Sequence, residues 1–189
     1  MKTAIIVHGW PSKEEYFKTK GPSPSNRHWL PWVQHQLIIK GVLAQTPEMP
    51  DAYLPVYEKW KSVFERFDVD EDTILIGHSC GGGFLVRWLS ENKVRVGKVV
   101  LVAPWLDPVK ELDTGIFDFI IDSDIAGRTA GLTIMYSTDD EKTILETINL
   151  LKEKTKGITF KEFNNKGHFC YSDMKTDQFP ELMELLYIG

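Results

Sequence analysis

Apolar residues fall into two kinds of run along this chain, and their alternation sets the fold class. Ala4–Val7, Thr73–Ile76, Lys98–Pro104 and Leu132–Ser137 are short, nearly continuous apolar stretches rich in β-branched side chains. They read as strands of a sheet covered on both faces. Ile158–Phe163 reads as a last strand, and Val42–Met49 is a weaker candidate of the same kind. Between these runs the apolar spacing becomes helical: Trp29, Trp32, Val33 and Leu37, then Val56, Trp60, Val63, Phe64 and Phe67, then Phe84 to Leu89. Thr143–Lys156 and Phe179–Leu186 continue the series. The spacing predicts a first helix capped by Ser25 or Asn26, running to about Lys40 and stopped by Gly41. A second helix opens at Pro55, a good first-turn residue. Trp105–Arg128 follows neither period; with Ile116, Phe117, Phe119, Ile120 and Ile121 apolar, it predicts an irregular segment with one short helix over the strand ends. Strands alternating with helices imply right-handed crossovers and an α/β fold, an about six-stranded, mostly parallel sheet with helices on both faces.

Length and charge narrow the picture. At 189 residues the chain is expected to form a single domain, 1–189, with a sizeable core. A net charge of −5 without a basic cluster argues against nucleic acid as a partner. No apolar stretch approaches a membrane span, and Met1–Val7 is too short for a signal peptide, so the expectation is a cytoplasmic protein. Cys80 and Cys170 suggest no disulfide framework; both read as small apolar residues rather than redox groups. His8, His78, His168 and Asp140 lack metal-ligand spacing, and neither metal nor organic cofactor is expected.

One stretch carries chemistry. Gly77-His78-Ser79-Cys80-Gly81 lies between a strand and a helix, which is the setting that a nucleophile elbow requires. A serine on so tight a turn takes strained backbone angles, and side chains two residues to either side would collide with it. An alkyl hydroxyl needs a base to take its proton and an acid to orient that base. His28 and His35 fall on the predicted first helix and read as surface, His78 should leave the turn in another direction, and His8 should brace the adjacent loop. His168, after the last strand, is the remaining candidate base and has the required chain order. For the acid, Asp139, Asp140 and Glu141 all follow a strand, position does not choose among them, and Asp139 could equally cap the next helix. The backbone N–H groups of Cys80 and Trp10 are the expected oxyanion donors. Trp105 and Tyr136 could line an acyl pocket or belong to the core. Pro11–Asn26 is a long connection, of the kind that often carries function.

With those residues placed, the chain resembles the small α/β-hydrolases. More closely it is similar to the retinoblastoma-binding-protein-9-like serine hydrolases, a family that includes bacterial YdeN-type proteins. The likeness runs through His8-Gly9, Trp29-x-x-Trp32-Val33, Met49-Pro50, Thr73–Ser79, Ser137–Asp140, Gly167-His168-Phe169 and Phe179-x-Glu181-Leu182. The resemblance implies a minimal α/β-hydrolase fold without a large lid domain. It also implies Ser79 as nucleophile, Asp140, the second aspartate of its pair, as acid, and His168 as base. The activity it leads us to expect is carboxylesterase-like: cleavage of a small ester, or an amide or thioester, through an acyl-enzyme. The competing expectation is a hydrolase fold kept as a protein-binding module with little turnover.

Overall fold

The computed structural model describes residues 1–186. Six strands form one sheet: β1 (Thr3–Val7), β2 (Leu43–Gln45), β3 (Thr73–His78), β4 (Val99–Val102), β5 (Leu132–Ser137) and β6 (Thr159–Phe163). They lie in the order β2-β1-β3-β4-β5-β6, and every pairing is parallel. Burial follows position in the sheet. All residues of β3 and β4 are buried, so their apolar runs are unbroken, whereas the edge strands β2 and β6 are partly exposed. That is why the strand at β2 reads weakly in the sequence.

Helices α1 (Lys13–Tyr16), α2 (Leu30–Ile39), α3 (Tyr57–Phe64), α4 (Cys80–Glu91), α5 (Lys142–Lys154), α6 (Tyr171–Met174) and α7 (Pro180–Leu185) connect and follow the strands. In α3, Tyr57, Trp60 and Phe64 are buried, and their rings lie 5.4–5.8 Å from that of Phe84 on α4. α5 buries Ile144, Thr147, Ile148 and Leu151, one helical face. No helix among the described residues is long and apolar enough to cross a membrane.

Two predicted elements differ. The first helix does not start at Ser25 or Asn26. Pro24–Asn26 forms a separate 3₁₀ turn, His28 has φ 57°, and α2 begins at Leu30 with Pro31 in its first turn. A proline inside a helix begun at residue 25 would lose a hydrogen bond and clash, so the helix starts where Pro31 is tolerated. The short helix expected within 105–128 is reduced to a 3₁₀ turn at Ala126–Arg128. Side chains hold this segment instead. Asp107 accepts from the N–H groups of Glu111 and Leu112, and Arg87 Nη1 donates to the carbonyls of Gly115 and Ile116. Backbone groups used in this way cannot build a helix.

The chain runs outward from β1 to β2, then returns to place β3 on the other side of β1. Such a reversal leaves a crevice beyond the carboxyl ends of the two strands, and in open α/β sheets ligands bind there. Here those ends are Val7 and His78.

Candidate active site

Ser79 sits between β3 and α4 with φ 53° and ψ −122°, a conformation that costs a non-glycine residue about 1–3 kcal/mol. Its surroundings leave no alternative. A Cβ at Gly77 would lie 2.7 Å from Gly82 Cα, and one at Gly81 would lie 2.4 Å from the carbonyl oxygens of Val7 and His8. The elbow therefore packs backbone against backbone on the end of β1. The Ser79 N–H donates to Val102 O (2.9 Å), and its carbonyl accepts from Gly83 and Trp105.

The residues after β1 form the facing wall. His8 is buried; its Nδ1–H donates to Gly9 O (2.7 Å) and its Nε2 accepts from the Met49 N–H (2.9 Å), so it braces this loop as expected. Acceptance at Nε2 requires the neutral ring, and burial lowers the His8 pKa in keeping with that. Trp10 is held by its stack on Trp105, with ring centroids 5.3 Å apart, and by donation from Nε1 to Tyr53 O. The Trp10 and Cys80 amides donate to no protein acceptor among the described hydrogen bonds.

From the far side of the sheet comes His168. Its Nδ1 lies 3.0 and 3.1 Å from the two carboxylate oxygens of Asp140, whose side chain is fully buried. Asp139 faces elsewhere: its Oδ1 accepts from Ser137 Oγ (2.5 Å) and from the Gly167 N–H (3.2 Å), and the Ser137 contact holds its pKa below the ordinary value. The loop around His168 is held by further side chains. Ser137 Oγ accepts from the Lys166 N–H, and Asp173 Oδ2 accepts from the N–H groups of His168 and Cys170. His78 Nε2 donates to the carbonyl of His168 at 2.9 Å, and the two rings lie 5.1 Å apart.

Ser79 and His168 line one cleft of about 210 Å³, beside Gly9, Trp10 and His78. Its outer wall is the segment 11–29, through Pro11, Glu15, Pro24, Arg27 and His28. Arg27 ties that segment together by donating from Nε to Pro22 O and from Nη2 to Glu15 O. His28 accepts at Nδ1 from the Tyr171 N–H, which leaves its proton on Nε2; burial, then the Arg27 charge, lower its pKa. His78 is driven well below the ordinary histidine value, first by burial and then by neighbouring His168. Burial pushes the Cys170 thiol at the cleft up to about 12, and it raises that of Cys80 as well, so both are protonated thiols at neutral pH. No group of three or more histidine, cysteine or acidic residues suited to a metal occurs among the described residues.

The profile of the serine hydrolase family matches residues 4–187, nearly the whole chain. This chain belongs to the serine hydrolase family. Within it, the chain is 28% identical over 127 residues to YdeN of Bacillus subtilis (strain 168), an alignment covering 62% of this chain and 61% of that protein. The crystal structure of the B. subtilis ydeN gene product superposes with TM-score 0.78 at 21% identity, covering 98% of this chain and 97% of that one. Est1E from Butyrivibrio proteoclasticus shares the fold at TM-score 0.63 and 15% identity, with 99% and 89% covered. The serine hydrolase has the α/β-hydrolase architecture, with no large lid domain among its described residues.

Of the two places open to Tyr136 and Trp105 in the serine hydrolase, cleft lining or core, both residues take the core. Tyr136 does not line the cleft: it points along the sheet toward β6, where its hydroxyl donates to Glu162 (2.5 Å) and accepts from Lys152 (3.0 Å). Trp105 is buried beneath Trp10 and does not line the cleft; it meets the site through that stack and through its main-chain N–H, which donates to Ser79 O. The lining comes instead from the segment 11–29, which also takes His28 off the predicted helix surface. Sequence reasoning weighed His78 only as a candidate base or metal ligand and left Asp173 unnamed. Each left a trace: a histidine in a wholly buried strand needs a polar partner, and Asp173 stands at capping-box distance from Cys170.

Proposed function

We propose that this serine hydrolase cleaves a small carboxylic ester through an acyl-enzyme, with Ser79 as nucleophile, His168 as general base and Asp140 as the acid that orients it. The observation that carries the reading is the contact of His168 Nδ1 with both oxygens of the buried Asp140, on the cleft that Ser79 lines. Asp140 keeps the proton on Nδ1 and so leaves Nε2 free to accept one. Ser79 Oγ attacks the ester carbonyl while its proton passes to Nε2, and the Trp10 and Cys80 N–H groups receive the developing oxyanion. The tetrahedral intermediate expels the alkoxide, which takes the proton from His168. Water then attacks the acyl-enzyme with His168 again as base, and Ser79 leaves with its proton restored. An amide or thioester fits the same steps with a different leaving group. A cleft of about 210 Å³ walled by Arg27, His28 and Glu15 suits a short acyl chain better than a long one.

The test is reaction with a fluorophosphonate probe and hydrolysis of p-nitrophenyl esters of increasing acyl length. The wild type should be labelled and favour short chains, and S79A should be unlabelled. A folded wild type that resists the probe would support the binding-module reading instead.

A further inference from the structure

The proposed reaction requires the His168 ring to stay within reach of the Ser79 hydroxyl, and a loop without regular structure sets that reach. Asn165, Gly167 and Phe169 all have positive φ (61°, 49° and 56°), so neither helix nor sheet pairing fixes the main chain around the base. Side chains do so instead. Ser137, Asp139 and Asp140 grip Lys166, Gly167 and the imidazole from the end of β5, and Asp173 grips His168 and Cys170 from α6. All of these ties lie on the base's own side of the cleft. Among the described hydrogen bonds, the one from His78 Nε2 to His168 O is the link between residues 165–170 and the strand that carries Ser79.

We propose that His78 is a positioning residue: its N–H···O=C bond clamps the main chain of the general base to the nucleophile's own turn and so sets the approach of His168 Nε2 to Ser79 Oγ. The inference rests on the serine hydrolase reading above. His78 directly precedes Ser79, so any shift of the elbow carries donor and hydroxyl together, and the base follows through a 2.9 Å bond. Simple packing does not account for the residue. The ring is 3% exposed at the end of an otherwise mostly apolar strand, between Trp29 and His168. A phenyl ring would fill that space without the cost of burying a polar group. What the imidazole adds is the donor.

The test separates donor from volume. H78F keeps a ring but removes the N–H; H78Q places an amide donor near the position of Nε2; H78N holds its donor near that of Nδ1, too short to reach. For H78F we expect kcat on p-nitrophenyl acetate and the rate of fluorophosphonate labelling to fall about 10-fold to 10²-fold, the scale of a misplaced catalytic group, with KM and the thermal midpoint little changed. H78Q should recover most of the loss and H78N should not. In an H168A background, adding H78F should change the labelling rate hardly at all, because the residue it acts through is gone. Labelling of H78F at the wild-type rate, or an undiminished effect of H78F in H168A, would overturn the assignment. If H78F loses its cooperative thermal transition, the contrast between H78Q and H78N decides, and equal rates for those two refute the clamp. A wild type that resists the probe removes the hydrolase reading and this inference together, whereas a labelled wild type with an indifferent H78F removes the inference alone.

Discussion

The elbow around Ser79 and the loop around His168 face the same cleft, but they are held there by different means. On the elbow side the restraint is main chain against main chain: Gly77 and Gly81 let three backbone segments touch, and a single added carbon at Gly81 would lie 2.4 Å from two carbonyl oxygens. On the base side backbone rarely meets backbone. Five side chains, Ser137, Asp139, Asp140, Asp173 and His78, hold a stretch of irregular chain by hydrogen bonds from three places in the sequence. The first arrangement is rigid and fails all at once. The second is adjustable, and its parts should fail singly and by degrees.

Five measurements probe that contrast, from the largest expected effect to the smallest. S79A should lower kcat on the order of 10⁶-fold and leave the fold intact, as read by steady-state kinetics and thermal melting. D140N should lower kcat by about 10⁴-fold through the wrong imidazole tautomer, whereas D139N, which disturbs only the loop, should lose about 10-fold to 10²-fold. A larger loss for D139N would reverse the two roles. G81A should cost about 3 kcal/mol or more in urea denaturation, because no flexible side chain is there to yield. Stability should also depend on pH with a defined sign. His8, His28 and His78 are held below the ordinary histidine value of 6.5, mainly by burial; the Arg27 charge adds to it at His8 and His28 and neighbouring histidines add to it at His28 and His78, while the bond to Gly9 O and the Glu48 charge oppose it at His8. Below pH 6.5 the unfolded chain takes up protons that the folded chain refuses, so stability falls as pH drops and levels off above that point. Each such group contributes up to about 1.4 kcal/mol per pH unit, and H78Q should flatten the slope between pH 6.5 and 5. The smallest effect belongs outside the cleft: Y136F should keep kcat/KM near wild type and lose about 1 kcal/mol of stability with its bonds to Glu162 and Lys152.

The same contrast governs what could be read without coordinates. The elbow was legible because its constraint is local: five consecutive residues contain both the proposed nucleophile, Ser79, and the glycines that make room for it. The central strands were legible because both of their faces are buried, whereas β2, three residues at an edge, left a faint trace. The base side was not legible to the same degree. Asp139 and Asp140 are adjacent, both follow β5, and only the path of a loop 25 or more residues later decides which of them meets the imidazole. The cleft wall was hard to read for a related reason: aromatic residues near strand ends serve equally as lining or core, and Pro31, which displaces His28 from the helix, was passed over.

The segment 11–29 contributes no strand to the sheet, yet it supplies Pro11, Glu15, Pro24, Arg27 and His28 to the cleft, stapled internally by Arg27 and by the Ser12–Glu15 capping box. On the proposed reading, selectivity and turnover are thus encoded in separable stretches of the gene. Drift or grafting within those nineteen or so codons can retune which molecules are admitted, while the machinery that breaks the bond is inherited unchanged.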